Sequence, residues 1–105
     1  MKYLVFAICI FGLAHQAYAD TTTPAQTIRK IATGWNDGAV YIDTVEGTIV
    51  ENCNTATLRV DVNNMMRKEI LAIALSAYHT GSNVQFRVVG CWGDRMNATA
   101  IVVTV

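Results

Sequence analysis

The stretch from Thr55 to Val89, TATLRVDVNNMMRKEILAIALSAYHTGSNVQFRVV, changes its hydrophobic period twice. Both of its ends alternate apolar with polar side chains, which is the pattern of a β-strand with one buried face. The apolar members are Ala56, Leu58, Val60 and Val62 in the first run and Val84, Phe86 and Val88 in the second. The stretch therefore predicts two strands, and the segment between them has a different period.

That middle segment predicts one α-helix, from about Asn64 to Thr80. It is rich in Met, Arg, Lys, Glu, Leu and Ala, which favour helices. Asn63 or Asn64 can accept hydrogen bonds from the free N–H groups of the first turn, and Gly81 can adopt the left-handed conformation that ends a helix. His79, the only histidine after residue 19, lies in the last turn. A positive charge there is favoured by the helix dipole, so we assign His79 a capping role rather than a catalytic one.

The apolar arc of this helix covers about 200°, although a stripe of about 100° is enough for one core. One side of the helix carries Met66, Ile70, Ile73, Ala74 and Ala77. Leu71, Leu75 and Tyr78 widen that side. Two explanations remain open. The helix is unusually apolar beneath a small barrel, or Leu71, Leu75 and Tyr78 contact a neighbouring subunit.

Three further strands are predicted outside this stretch. Asn36-Asp37-Gly38 separates two runs rich in apolar residues and predicts a hairpin turn, because these residues tolerate positive φ. Residues 98–105, ATAIVVTV, predict the last strand, and GCWGDRMN (residues 90–97) predicts a loop before it. The polar residues 20–26 predict a loose N-terminal lead.

The predicted order is therefore strand, strand, strand, helix, strand, strand. This is the order of an OB-fold, a five-stranded Greek-key barrel that is mainly β with one helix. The helix would close the lower end of the barrel, where Met66, Ile70 and Ala74 would be buried.

The first nineteen residues predict a cleaved signal peptide. Lys2 gives a positive start, an apolar run follows, and Ala17 and Ala19 place small residues where a signal peptidase cleaves. The apolar run is too short for a membrane span of about 20 residues. We therefore predict cleavage after Ala19, secretion or periplasmic export, and a single domain over residues 20–105.

Two cysteines remain once Cys9 has been removed with the signal peptide. In a small exported protein, Cys53 and Cys91 are expected to form a disulfide. Two free buried thiols are the alternative.

Charge and residue types exclude several functions. The exported chain is close to neutral and has no basic patch, so we expect no nucleic-acid partner. No Ser/His/Asp set can be assembled without His79, and Cys, His and carboxylates are not clustered as metal sites require. We therefore predict no enzyme activity, no metal and no cofactor.

Two tryptophans lie beside hydrogen-bonding residues in predicted turns. Trp35 precedes Asn36 and Asp37, and Trp92 precedes Gly93, Asp94 and Arg95. Aromatic faces beside polar side chains suit sugar rings, which stack through C–H groups and hydrogen-bond through hydroxyls. Trp35, Asn36, Asp37, Trp92, Asp94 and Arg95 are therefore candidate contacts to a glycan or a protein partner. Alternatively, each tryptophan covers one end of the barrel.

The run ILAIALSAYHTGSNVQFRV, Ile70 to Val88, resembles the helix-to-strand segment of small bacterial secreted OB-fold proteins. These include the B subunits of AB5 toxins, particularly the subtilase-cytotoxin and pertussis-like branches. The resemblance lies in the alanine-rich end of the helix, the turn from Tyr78 to Gly81 and the alternating strand that follows. It implies a homopentamer with its helices toward a central pore, and glycan binding on the outside.

Two hypotheses follow. In the first, the protein is a secreted, non-catalytic glycan-binding B subunit that binds a cell-surface glycan and delivers a separate catalytic A subunit. In the second, it is a solitary periplasmic or secreted OB-fold protein that binds a protein or peptide. The first predicts an oligomer and saturable glycan binding, and the second predicts a monomer or dimer.

Overall fold

The computed structural model describes residues 20–104, which form six β-strands and one α-helix. The strands are β1 (Thr21–Thr22), β2 (Gln26–Ala32), β3 (Val40–Thr44), β4 (Leu58–Val60), β5 (Asn83–Trp92) and β6 (Arg95–Thr104), and the helix α1 (Arg67–Thr80) lies between β4 and β5. The expected signal peptide, residues 1–19, lies outside the described residues. Within them, no helix has the length and hydropathy needed to span a membrane.

The strands form one mixed sheet in the order β1-β5-β2-β3-β4-β6, and β5 also pairs with β6. The five strands β2 to β6 therefore close into a ring, and β1 pairs with β5 at Arg87 and Val88, further along β5 than its pairing with β2. The pairing of β4 with β6 is parallel and the other pairings are antiparallel. The prediction of a mainly β fold with one helix is confirmed, with one strand more than expected.

The core lies between the ring of strands and the helix. It contains Ile28, Val40, Ile42, Cys53, Leu58, Val60, Ile70, Ala74, Ala77, Val84, Phe86, Val88, Met96 and Ala98. Apart from Cys53, which lies between β3 and β4, these are inward-facing members of the strands together with one face of α1. The helix packs against β2, β5 and β6. The predicted alternation at Val84, Phe86 and Val88 is confirmed, because all three are fully buried.

The helix begins about one turn later than predicted. Asn64 Oδ1 accepts a hydrogen bond from Met66 N at 2.8 Å, so its side chain closes a turn ahead of the helix. Gly81 ends the helix in the left-handed conformation, as predicted, with φ of 70°. The expectation that Met66 is buried was wrong, because Met66 precedes the first helical turn and is 52% exposed.

The predicted third strand, from Ala56 to Val62, is shortened at both ends, because only Leu58–Val60 pair as β4. At its second end, Asp61 turns the chain toward the helix. Its carbonyl accepts a hydrogen bond from Asn64 N at 3.1 Å, and its Oδ2 accepts one from Asn63 N at 3.2 Å. The first hairpin, β2–β3, is present as predicted.

Residues 90–97 do not form the predicted loop. β5 continues to Trp92 and β6 begins at Arg95, so Gly93 and Asp94 form the turn of a hairpin. Gly93 supplies the required positive φ of 60°. As a result, Trp92 and Arg95 pair directly across the two strands.

The predicted loose N-terminal lead is also wrong. Thr21 and Thr22 pair with β5, and the buried Thr23 accepts a hydrogen bond through Oγ1 from Phe86 N at 3.0 Å. Arg87 Nε donates to Asp20 Oδ1 at 2.7 Å. Strand pairing, a buried threonine and an ion pair together hold this segment.

The predicted disulfide is confirmed. Cys53 and Cys91 are bonded, with their Cα atoms 5.6 Å apart, which excludes two free thiols. The bond joins the segment before β4 to the end of β5. Trp92 follows Cys91 directly, so the disulfide also anchors the backbone that carries this tryptophan.

Candidate functional site

An open cleft of about 310 Å³ lies on the outer surface of the sheet, beside the β2–β3 turn. Its lining comes from both strands of that hairpin, the turn itself, the residue before β4 and the first residue of β6. The lining residues are Lys30, Ala32, Trp35, Asp37, Tyr41, Asp43, Thr57 and Arg95.

Strand alternation places polar residues of β3 in this cleft. Val40, Ile42 and Thr44 are buried, so the residues between them point outward. Tyr41 and Asp43 therefore reach the cleft because their neighbours fill the core.

Tyr41 is the central contact residue of the cleft. Its ring meets the Trp35 ring edge to face, with the ring centroids 5.4 Å apart. The guanidinium carbon of Arg95 lies 4.9 Å from the centroid of the Tyr41 ring, and the Tyr41 hydroxyl donates a hydrogen bond to Asp37. One side chain thus links the hairpin turn to the start of β6.

Asp37 is held in its charged form by its neighbours. It accepts hydrogen bonds from the Tyr41 hydroxyl and from Ala39 N, the latter at 3.1 Å. Arg59 Nη2 lies 3.7 Å from Asp37 Oδ2. The Tyr41 hydrogen bond and then the Ala39 hydrogen bond lower the pKa of Asp37. Desolvation opposes them, and the Arg59 charge adds a lowering effect that is smaller than the desolvation.

Arg59 lies beneath this surface, with only 3% of its side chain exposed. Its Nη1 donates to Asp61 Oδ1 at 2.8 Å, its Nε donates to the Tyr41 hydroxyl at 3.4 Å, and its guanidinium carbon lies 4.3 Å from the Trp92 ring centroid. Burial works to lower the pKa of Arg59, but the hydrogen bonds to Tyr41 and Asp61 outweigh it and raise the pKa.

The acidic residues of the cleft have basic partners, whereas its own basic residues do not. Asp43 accepts a hydrogen bond from Thr57 Oγ1 at 2.7 Å and lies 3.7 Å from Arg29 Nη2. Among residues 20–104, neither Lys30 nor Arg95 forms a salt bridge. The cleft therefore offers an ammonium and a guanidinium beside its aromatic rings.

The structure brings together four of the six candidate contact residues. Trp35, Asp37 and Arg95 line the cleft, and Trp92 lies over Arg59 next to it. Asn36 is exposed in the turn and does not line the cleft.

Asp94 also lies outside the cleft lining. Its carbonyl accepts hydrogen bonds from Asn54 N at 3.1 Å and from Thr55 N at 2.9 Å. Its Oδ1 accepts one from Asn54 Nδ2 at 3.3 Å. Asp94 therefore stabilises the turn by hydrogen bonds to the segment before β4 and is not part of the cleft lining.

Sequence reasoning missed the residues in the middle of the site. These are Lys30, Tyr41, Asp43, Thr57 and Arg59. Tyr41, Asp43 and Arg59 occupy the polar positions of predicted strands, which identifies them as outward-facing. Their grouping depends on the pairing of Tyr41 with Arg59 across β3 and β4, and that register is not visible in either strand alone.

The helix flank that was predicted to contact a neighbouring subunit is partly accessible. Leu71 packs against the core, while Leu75 is 41% and Tyr78 48% exposed. On the other side of α1, a groove of about 160 Å³ lies against β6. Its lining residues are Met66, Glu69, Ile70, Ile73, Thr99, Ala100 and Ile101.

Metal binding and similarity to known proteins also bear on function. Within residues 20–104, no group of three or more His, Cys, Asp and Glu residues could hold a metal ion. The chain matches no known protein-family model, and no curated protein is significantly similar to it. The geometry of the cleft and the arrangement of the fold therefore carry the functional argument.

Proposed function

We propose that the protein is a secreted, non-catalytic glycan-binding B subunit of a bacterial AB5-like toxin, built on an OB-fold. The closed ring of five strands supports the OB-fold. Its connectivity, with the helix between β4 and β5 and a parallel pairing of β4 with β6, is that expected of a five-stranded Greek-key barrel.

The observation that carries the binding function is the cleft that contains Trp35 and Tyr41. Trp35 is 58% exposed, so a sugar ring can stack on it. Asp37, Asp43 and Thr57 supply oxygen atoms for hydroxyl groups, and Lys30 and Arg95 supply donors. At about 310 Å³, the cleft suits a small ligand, because binding pockets run from roughly 300 to 1,000 Å³.

Export is supported by two independent features. The disulfide between Cys53 and Cys91 is characteristic of oxidising compartments. The sequence of residues 1–19 has the pattern of a secretory signal. A secreted or periplasmic location gives such a protein access to cell-surface glycans.

The helix surface supports assembly into a homopentamer. Leu75 and Tyr78 are large apolar side chains that stay exposed on one flank of α1, and burying them against a second copy would be favourable. The pentamer would then deliver a separate catalytic A subunit.

The test of glycan binding is a glycan array, followed by titration calorimetry with the best ligand. We expect saturable binding to sialylated or related glycans, and a loss of at least ten-fold in affinity in Trp35→Ala, because the stacking surface is removed. Val45→Ala is the control, since Val45 is an exposed apolar residue outside the cleft lining. Flat binding curves for the unaltered protein would contradict the proposal.

One observation favours a second function, a solitary OB-fold protein that binds a protein or peptide. The groove between α1 and β6 is lined mainly by apolar side chains, including Met66, Ile73 and Ile101, and could take an apolar peptide side chain. This function predicts a monomer or dimer with no response on the glycan array.

A further inference from the structure

We infer that Arg59 is the positioning residue of the candidate site: it holds Trp92, Tyr41 and Asp37 in one arrangement without contacting the ligand itself. Three observations carry this inference. They are the burial of the side chain, the number of elements it joins and the exposure of the ring stacked on it.

Burial excludes Arg59 from direct ligand contact. Its side chain is 3% exposed, and it does not belong to the cleft lining. An arginine buried at this level must have its donors and its charge satisfied by the protein. Here the Tyr41 hydroxyl and Asp61 accept hydrogen bonds from Arg59, and the carboxylates of Asp61 and Asp37 compensate its charge.

The guanidinium joins four separate parts of the chain. Asp61 follows β4, Tyr41 lies on β3, Asp37 lies in the β2–β3 turn and Trp92 ends β5. Only a planar group with several donors can hydrogen-bond in its plane and stack on an aromatic ring with its face. A lysine ammonium at this position would keep the charge and lose that combination.

Trp92 depends on this contact for its orientation. It is 54% exposed and lies at the end of a hairpin, so the ring would otherwise sample several rotamers. The disulfide fixes the backbone at Cys91, and the Arg59 guanidinium fixes the ring. Trp92 is thereby presented beside the cleft as a second aromatic surface in addition to Trp35.

The first test measures the mobility of Trp92 and needs no ligand. Residues 20–105 contain two tryptophans, so Trp35→Phe makes Trp92 the only one. In that background we expect the fluorescence anisotropy of Trp92 to decay only with tumbling of the whole protein. Arg59→Lys should add a fast nanosecond component, while circular dichroism shows that the protein is still folded.

Arg29→Lys is the matched control, because Arg29 pairs with Asp43 at the edge of the same surface and is 60% exposed. It should leave the anisotropy decay of Trp92 unchanged. If Arg59→Lys does not fold, Asp61→Asn replaces it, since this change weakens the anchor of Arg59 and should also release Trp92. A mobile Trp92 in the parent, or an immobile one in the folded Arg59 or Asp61 variant, would overturn the inference.

The second test rests on the proposed function. With the glycan that binds best, Arg59→Lys should weaken affinity by about ten-fold, because the two aromatic surfaces must be ordered on binding. Arg29→Lys should stay within two-fold of the parent. If the parent binds no glycan, the proposed function is wrong. The anisotropy measurement alone then tests whether Arg59 holds Trp92 in place. Equal affinity in the folded Arg59→Lys variant and the parent defeats the inference alone.

Discussion

Asp37 contributes both to the fold and to the candidate site. Its Oδ1 accepts a hydrogen bond from Ala39 N, which closes the β2–β3 turn. Its Oδ2 lies near the Tyr41 hydroxyl and near the guanidinium of Arg59 beneath the cleft. These contacts favour the carboxylate and lower the pKa of Asp37 from its usual 3.8. The stability that they contribute is therefore present above the unfolded pKa and is lost as the pH falls through the folded pKa.

Asp37→Asn should reveal this pH dependence. At pH 7 the variant should have a lower Tm than the parent, because the charge-assisted hydrogen bonds are lost. The difference should shrink as the pH falls below about 4 and through the lowered pKa of folded Asp37, because the parent then loses its carboxylate charge as well. Thermal unfolding followed by circular dichroism at several pH values checks this. A difference that stays constant over that range would contradict the pKa argument.

Position 38 requires glycine for two reasons, its backbone conformation and a close neighbouring side chain. Its φ is +72°, and a Cβ at this position would lie 2.9 Å from Val62 Cγ2. Gly81 has a similar φ of +70° but open space around it, so Gly81→Ala is the matched control. Each alanine should cost about 1–2 kcal/mol for the left-handed backbone, and Gly38→Ala should cost more because Val62 must also move. Urea unfolding measures both losses, and equal losses would show that the Val62 contact is unimportant.

At the scale of the elements, the sequence predicted those strands and helix ends that local alternation and capping residues determine. The β2–β3 hairpin, the strand around Phe86 and the helix end at Gly81 are all present, because burial or a backbone requirement fixed each one. The two strands β5 and β6 were predicted, but their extension into residues 90–97 was missed, because Gly90, with φ of 67°, and the register shifts near Val88 interrupt the alternation.

Less of the candidate site than of the secondary structure could be predicted from the sequence. Trp35 and Trp92 were identifiable by residue type, and both lie at the site. The grouping of Arg59 with Tyr41 and Trp92 requires pairings between strands that are distant in the chain. β1, with two residues, is too short to show any period, and it is held by Thr23 and Asp20 instead.

The disulfide should contribute a large part of the free energy of unfolding. It closes a loop with a sequence separation of 38, for which the chain-entropy model gives about 4 kcal/mol. The double variant Cys53→Ser with Cys91→Ser should therefore lose about that free energy of unfolding in urea titrations. The parent unfolded under reducing conditions is the control and should show a similar loss. A loss below about 1 kcal/mol would mean that the local hydrogen bonds alone hold the segment before β4.

At the scale of the whole molecule, two surfaces have separate expected roles. The cleft is built on the outer face of β2 and β3, whereas Leu75 and Tyr78 lie on a helix between β4 and β5. A surface used for assembly need not block a cleft formed by other elements. Glycan binding and oligomer formation are therefore expected to be separable by mutation.

The native mass of the oxidised protein, residues 20–105, tests assembly directly. We expect about five times the monomer mass by light scattering, because the exposed Leu75 and Tyr78 would be buried between copies. Leu75→Glu should give monomers, since each interface would then bury an unpaired charge. Ser76→Glu, an exposed neighbour on the same helix, adds the same charge and should leave the mass unchanged. A monomeric parent would defeat the pentamer and favour the solitary binding protein, and dissociation in both variants would mean that the interface extends across more of the helix.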